Sequence, residues 1–225
     1  MIRHCKYLSL LALTILIGCS GGTETASTQA GLFGEVISAR RDRRQEPAPL
    51  PTLTPELINS LTIASLEVVS DERDQTAFLI PLARRDNRRL VVWQSGDKRQ
   101  IILRDGVLVG TRGLGHDLTS ADAAPAVSAV RTRSDTGGDR EMYIRNDLNG
   151  VDRMVLACAV NVVGPETIEI VGSKRATTHL RETCENTSGS FTNDYWADRR
   201  DGTVWKSRQW AGPGIGYLKM RLLKK

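Results

Sequence analysis

Four cysteines, three histidines and 26 acidic residues are the groups in this 225-residue chain that could do covalent, metal or proton-transfer chemistry. Few of them fall at catalytic spacings. No G-x-S-x-G elbow, P-loop or H-E-x-x-H is present, so the patterns that place a nucleophile, cradle a phosphate or hold zinc are missing. His116-Asp117 lies inside Thr111-Arg112-Gly113-Leu114-Gly115-His116-Asp117-Leu118. Gly113 and Gly115 allow a tight backbone path whose exposed amides could receive an anion or a sugar hydroxyl. The competing reading, which we favour, is a turn in which the glycines supply positive φ and Asp117 bonds nearby amides. Adjacent residues on a strand point apart, so His116 and Asp117 do not make a dyad by themselves. His179 is expected to be an exposed structural histidine opposite the Leu180 face of its strand. Asp97, Asp105 and Asp117 belong to turn signals, which argues against the paired carboxylates of a glycan hydrolase. No catalytic residue, metal site or cofactor is predicted.

The cysteines divide by position. Arg3, His4 and Lys6 form a basic head, Leu8 to Ile17 an apolar run, and Leu16-Ile17-Gly18-Cys19 follows. Ten helical residues rise only about 15 Å, half a bilayer core, which suits a signal-peptide h-region rather than a spanning helix. The last four residues are similar to a bacterial lipobox, in which the cysteine thiol takes a diacylglycerol before cleavage. Cys19 is therefore predicted to carry the lipid, palmitate included, and Ser20 after it predicts transfer to the outer membrane. Cys5 leaves with the signal, so Cys158 and Cys184 remain in an oxidising periplasm and are predicted to form a disulfide. By alternation, Cys184 shares a face with Leu180 and Ala176.

The elements that must position these residues begin after the lipobox. Gly21 to Gln29 has the composition of a flexible tether. Leu32, Phe33, Val36 and Ile37 repeat at helical spacing before Arg40, Arg41, Arg43 and Arg44, which suggests a short amphipathic helix with a solvated basic end. Pro47, Pro49, Pro51 and Pro55 favour an extended spacer, and Thr54-Pro55-Glu56 predicts a short helix over Leu57 to Leu61. Beyond it the period becomes two. Apolar runs at 76–84, 89–95, 99–104 and 107–111 are separated by Asp86-Asn87 and Asp105-Gly106, among other turn signals. Met154, Leu156, Cys158, Val160 and Val162 share one strand face; Leu218, Met220 and Leu222 share another. The prediction is an all-β antiparallel meander forming a barrel-like or strongly curved sheet, with one or two short N-terminal helices. Its segments are a signal at 1–18, an acylated tether and linker at 19–53, and a β domain at 54–225.

Composition narrows the function. Lys and Arg number 31, for a formal charge of +5, yet aromatics are only 5%. Removing Arg3 and Lys6 with the signal leaves +3, so a nucleic-acid partner is not predicted.

Trp93-Gln94-Ser95-Gly96-Asp97, the Arg104-Asp105-Gly106-Val107-Leu108-Val109 hairpin, the Thr111 to Leu118 glycine segment, and the tail with Asp194-Tyr195-Trp196 and Val204-Trp205-Lys206-Ser207-Arg208-Gln209-Trp210 together resemble the YjbF/GfcB family of group 4 capsule and exopolysaccharide lipoproteins. The resemblance runs from the start of the folded part to the C terminus. It implies an all-β, barrel-like outer-membrane lipoprotein without enzymatic activity, encoded beside polysaccharide-export proteins. The function it implies is an accessory factor in assembly or export, with outer-membrane lipid held through Cys19, export proteins as partners and the polysaccharide as a further one. An alternative is a glycan-binding protein that uses surface tryptophans, for which Trp93, Trp196, Trp205 and Trp210 are candidates. Thr111, Gly113, Gly115 and Asp117, with Trp93, Trp205 and Trp210, are the predicted ligand or partner contacts.

Overall fold

The structure is a computed structural model that describes residues 50–87 and 89–225. The signal at 1–18, Cys19, the tether, the amphipathic segment at 32–44, and Pro47 and Pro49 of the proline spacer lie outside the described residues. No helix among the described residues is long and apolar enough to cross a membrane.

The described residues begin with the expected helix, α1 (Pro55–Ser60), whose first turn is held by the Leu57 amide donating to Thr54 Oγ1 at 3.2 Å. Twelve antiparallel strands follow: β1 (Ser65–Ser70), β2 (Gln75–Arg85), β3 (Leu90–Ser95), β4 (Gln100–Arg104), β5 (Val107–Arg112), β6 (Leu118–Asp122), β7 (Thr136–Arg145), β8 (Val151–Ile170), β9 (Ser173–Asn186), β10 (Gly189–Asp198), β11 (Val204–Trp210) and β12 (Tyr217–Lys224). They make one sheet in the order β5-β4-β3-β2-β1-β12-β11-β10-β9-β8-β7-β6. The first and last strands pair in the middle of the sheet, with Val68 opposite Met220. Its two edges, β5 and β6, are consecutive in sequence, and the sheet curls until they nearly meet.

Alternation drives the curl, because each strand turns one apolar row inward. Leu66, Leu79, Trp93, Ile101, Met142, Leu156, Leu218 and Met220 form the main core. A second helix, α2 (Ala124–Thr132), joins β6 to β7 and is not among the expected elements, although Pro125 in its first turn and Ala126, Val127 and Val130 at helical spacing are signals for it. Its Ala126, Val127, Ala129 and Val130 pack against Val160, Leu180, Tyr195 and Ala197 of the sheet's inner face. It closes one end of the barrel.

Two details differ from simple alternation. A bulge between Val162 and Gly164 inserts one residue into β8, so the row ending at Val160 does not continue. Val162 is consequently exposed, and Ile168 and Ile170 are buried on the opposite face with Ile58 of α1, Trp205 and Leu223. Ala176 keeps the parity of Leu180 and Cys184 but is exposed on the far part of this hairpin, whereas Leu180 and Cys184 are buried.

Candidate functional site

Asp117 organises the corner where β5 turns into β6. Its carboxylate accepts from Thr111 Oγ1 at 2.8 Å, from the Gly113 amide at 2.8 Å and from the Leu114 amide at 3.1 Å. Thr111 Oγ1 accepts in turn from the Leu118 amide at 3.0 Å. Gly113 and Gly115 both have positive φ, which lets the chain reverse within five residues. Thus Thr111, Gly113 and Asp117 are brought together, with their polar groups directed at one another. His116 bonds Asp147 at 2.5 Å, and its ring lies where a Cβ on Gly214 would sit. Leu114 O receives Arg73 Nη2 at 3.0 Å. Four turns are thereby tied together at this end of the barrel.

The two sheet edges do not share a ladder. Side chains from β11 and β7 bond the open edge of β5 instead. The Gln209 side-chain amide donates to Gly106 O at 2.9 Å and accepts from the Leu108 amide at 2.7 Å, as a neighbouring strand would. Arg140 Nη2 donates to Leu108 O at 2.9 Å, and Arg140 Nη1 lies 3.1 Å from both oxygens of Glu182. Glu182 also accepts from Asn193 at 2.6 Å and from the Tyr195 hydroxyl at 2.7 Å. Arg140, Glu182, Asn193, Tyr195 and Gln209 are all buried. Burial opposes the charge on Arg140, but the Glu182 carboxylate more than offsets it and its pKa is raised. Tyr195 is pushed well above its ordinary value by burial and by the Glu182 charge, so the phenol stays a donor. Gly106 is required beside this network, since a Cβ there would lie 2.5 Å from Val204 Cβ.

No sequence pattern nominated this network. A signal existed: Glu182 sits between Leu180 and Cys184, and Asn193 between Phe191 and Tyr195, at positions whose parity points inward.

The tryptophans form no shared platform. Trp93 and Trp205 are buried, while Trp196 and Trp210 are half-buried. Trp205 Nε1 donates to Asp198 and Trp196 Nε1 to Glu166. Trp210 stacks on Phe191 and Trp196 on His179. His179 also bonds Asp194 at 2.7 Å, and its side chain is only 12% exposed. The expectation of an exposed histidine is corrected by that stacking, which covers the ring.

Cys158 and Cys184 face each other across β8 and β9 and are disulfide-bonded, with Cα atoms 4.1 Å apart. With Glu182 they form a compact set of metal-ligand side-chain types. The bond removes both thiolates, leaving a lone carboxylate already held by Arg140.

These features fit a self-contained scaffold, and comparison with known proteins gives it a family. The family model "Group 4 capsule polysaccharide lipoprotein gfcB, YjbF" matches residues 33–223. The chain belongs to the YjbF/GfcB family. The match starts at Phe33, upstream of the β domain. As a member the protein is a non-catalytic accessory lipoprotein, lipid-anchored at the outer membrane and facing the periplasm. No curated protein matches the chain. Among solved structures, the crystal structure of the hypothetical lipoprotein YmcC from Escherichia coli (K12) is similar at 20% identity and a TM-score of 0.67. The alignment covers 92% of this chain and 98% of that one. That likeness extends to the fold: a curled antiparallel sheet is shared at low identity.

Proposed function

We propose that this YjbF/GfcB lipoprotein assists the assembly or export of a capsule-type polysaccharide by contacting export proteins encoded beside it, from a body tethered to the outer membrane through acylated Cys19. The family match over residues 33–223 carries this reading. The architecture supports it: the Asp117 corner and the Arg140 network spend their polar groups on closing the barrel, as a rigid body presented to partners requires. Residues 1–18 act as the signal and 19–53 as the acylated tether. Acyl chains contribute about 0.8 kcal/mol per buried methylene, so several chains on one cysteine anchor the body without a spanning helix.

The test is site-specific crosslinking in the native envelope from positions on the barrel surface. Export proteins encoded beside the gene are expected among the products, and deletion of the gene is expected to lower surface polysaccharide. Recovery of unrelated lipoproteins alone, with unchanged polysaccharide, overturns the reading. Cys19→Ser is expected to release the protein from the membrane fraction.

A further inference from the structure

The end of the barrel near the β4–β5 corner and the β10–β11 turn contains a cavity of about 590 Å³, within the usual size range of small-molecule sites. Its inner wall is built by Ala64, Leu66, Val91, Trp93, Leu103 and Leu222, which belong to the main core or pack against it. Their side chains are hydrocarbon except for the Trp93 indole N–H, so a ligand carrying several hydroxyls would leave most of them unpaired there, at a desolvation penalty. An alkyl chain gives up no hydrogen bond on entering, and every methylene it buries is favourable.

The charges stand at the mouth, on exposed or half-exposed residues. Arg84, Arg89, Arg131 and Lys225 face two carboxylates, Asp105 and Asp201. Lys225 is paired with Asp201 at 2.8 Å, and Arg89 with Asp86 at 3.3 Å and more loosely with Asp105 at 3.9 Å. Arg84 and Arg131 are in no ion pair among the described residues. The unbalanced charge is therefore positive and suits one anionic head above an apolar tail. Size decides how many tails. At about 30 Å³ per group, the space of a water molecule in the liquid and close to that of a methylene, the cavity holds roughly twenty groups. One long fatty acid fits, and a two-chain phospholipid does not.

We propose that this cavity binds a long-chain fatty acid, with the tail against Leu66, Val91 and Leu103 and the carboxylate at the mouth, where Arg84 and Arg131 supply the unpaired charges. The occupant is a free acid rather than a chain already on Cys19, because an acyl group in ester or amide linkage presents no carboxylate to these cations. The assignment stands on the cavity alone and does not depend on the export reading.

The experiment irradiates the full-length lipoprotein in phosphatidylcholine nanodiscs with a palmitate analogue that carries a diazirine in its chain. Adducts are mapped by peptide mass spectrometry and counted relative to those on the disc lipid. Label is expected on the wall residues Leu66, Val91 and Leu103, and less of it at higher salt. The same chain ending in trimethylammonium should label the wall at least about fivefold less, and excess digalacturonate should not compete. The double variant Arg84→Gln/Arg131→Gln, both exposed positions, should lose at least about fivefold in wall labelling at an unchanged melting temperature. A wall without label, whether the cavity stays empty or holds the chain on Cys19, overturns the proposal. Equal labelling by the ammonium analogue, competition by digalacturonate, or an unaffected double variant overturns it as well.

Discussion

Arg140 of β7 and Glu182 of β9 form an ion pair inside the barrel with neither side chain exposed to solvent. The pair reaches across the lumen, because Arg140 also donates to Leu108 O on the sheet edge β5. Removing one partner from a buried pair leaves an uncompensated charge, which costs about 3–5 kcal/mol. Arg140→Met is therefore expected to lower unfolding stability by about that amount, as measured by urea denaturation. Arg140→Met with Glu182→Leu removes both charges and should recover part of the loss, the remainder reflecting the orphaned Leu108 carbonyl and the Asn193 and Tyr195 groups that bonded Glu182. A single variant no weaker than the double would refute this account of barrel closure.

The disulfide makes a separate contribution. Cys158 and Cys184 are 26 residues apart in sequence, and closing a loop of that size stabilises by about 3.5 kcal/mol in the chain-entropy model. The variant with both cysteines changed to alanine should lose up to about that much and unfold at lower urea with a similar slope. Thiol titration of the denatured, non-reduced mature wild type should find no free pair.

Much of the fold is legible in sequence because its cause is local. Asp86-Asn87 and Asp105-Gly106 have positive φ, as hairpin turns need, and strands β2 to β5 begin and end within a residue of the apolar runs. Helix α1 is announced by its own cap and proline. Helix α2 is hidden for the opposite reason. Ala123 at its start offers no side-chain cap, so its local signals, Pro125 and the apolar spacing of Ala126, Val127 and Val130, are short, and the helix is stabilised by burial against Val160, Leu180 and Tyr195, residues remote in sequence. The β8 bulge at Val162–Gly164 breaks the alternation in the same non-local way. At the candidate site, the Asp117 turn is readable because its partners lie within six residues. Arg140, Glu182 and Gln209 are not, since their partners come from strands whose adjacency only the closed sheet decides.

Asp117 offers a test of closure at the opposite end. Its carboxylate holds Thr111, Gly113 and Leu114, and through Thr111 the Leu118 amide. Hydrogen bonds to a charged group contribute about 1.5–3 kcal/mol when well formed, and this loop is partly exposed. Asp117→Ala should destabilise by about 2 kcal/mol, with hydrogen exchange accelerating first at Leu118. His116→Ala, which loses the exposed contact to Asp147 and the packing of its ring over Gly214, should cost less than Asp117→Ala, under about 1 kcal/mol.

Asp105 predicts a pH dependence of the opposite sign to most carboxylates. Burial raises its pKa, and the nearby cations Arg89, Arg131 and Arg104 only partly oppose it. A raised folded-state pKa means that the native protein binds the proton more tightly than the unfolded chain. Below the ordinary value of 3.8 both states are protonated and Asp105 imposes no penalty. As pH rises through the folded-state pKa the penalty appears, and it is complete above it. Asparagine tolerates the positive φ of 49° at this turn position and carries no charge. Asp105→Asn is therefore expected to raise the melting temperature by a few degrees at pH 7, with the gain shrinking toward zero near pH 3. A melting series across that range checks the sign; a variant less stable than wild type at pH 7 would show that the Arg89 attraction outweighs burial.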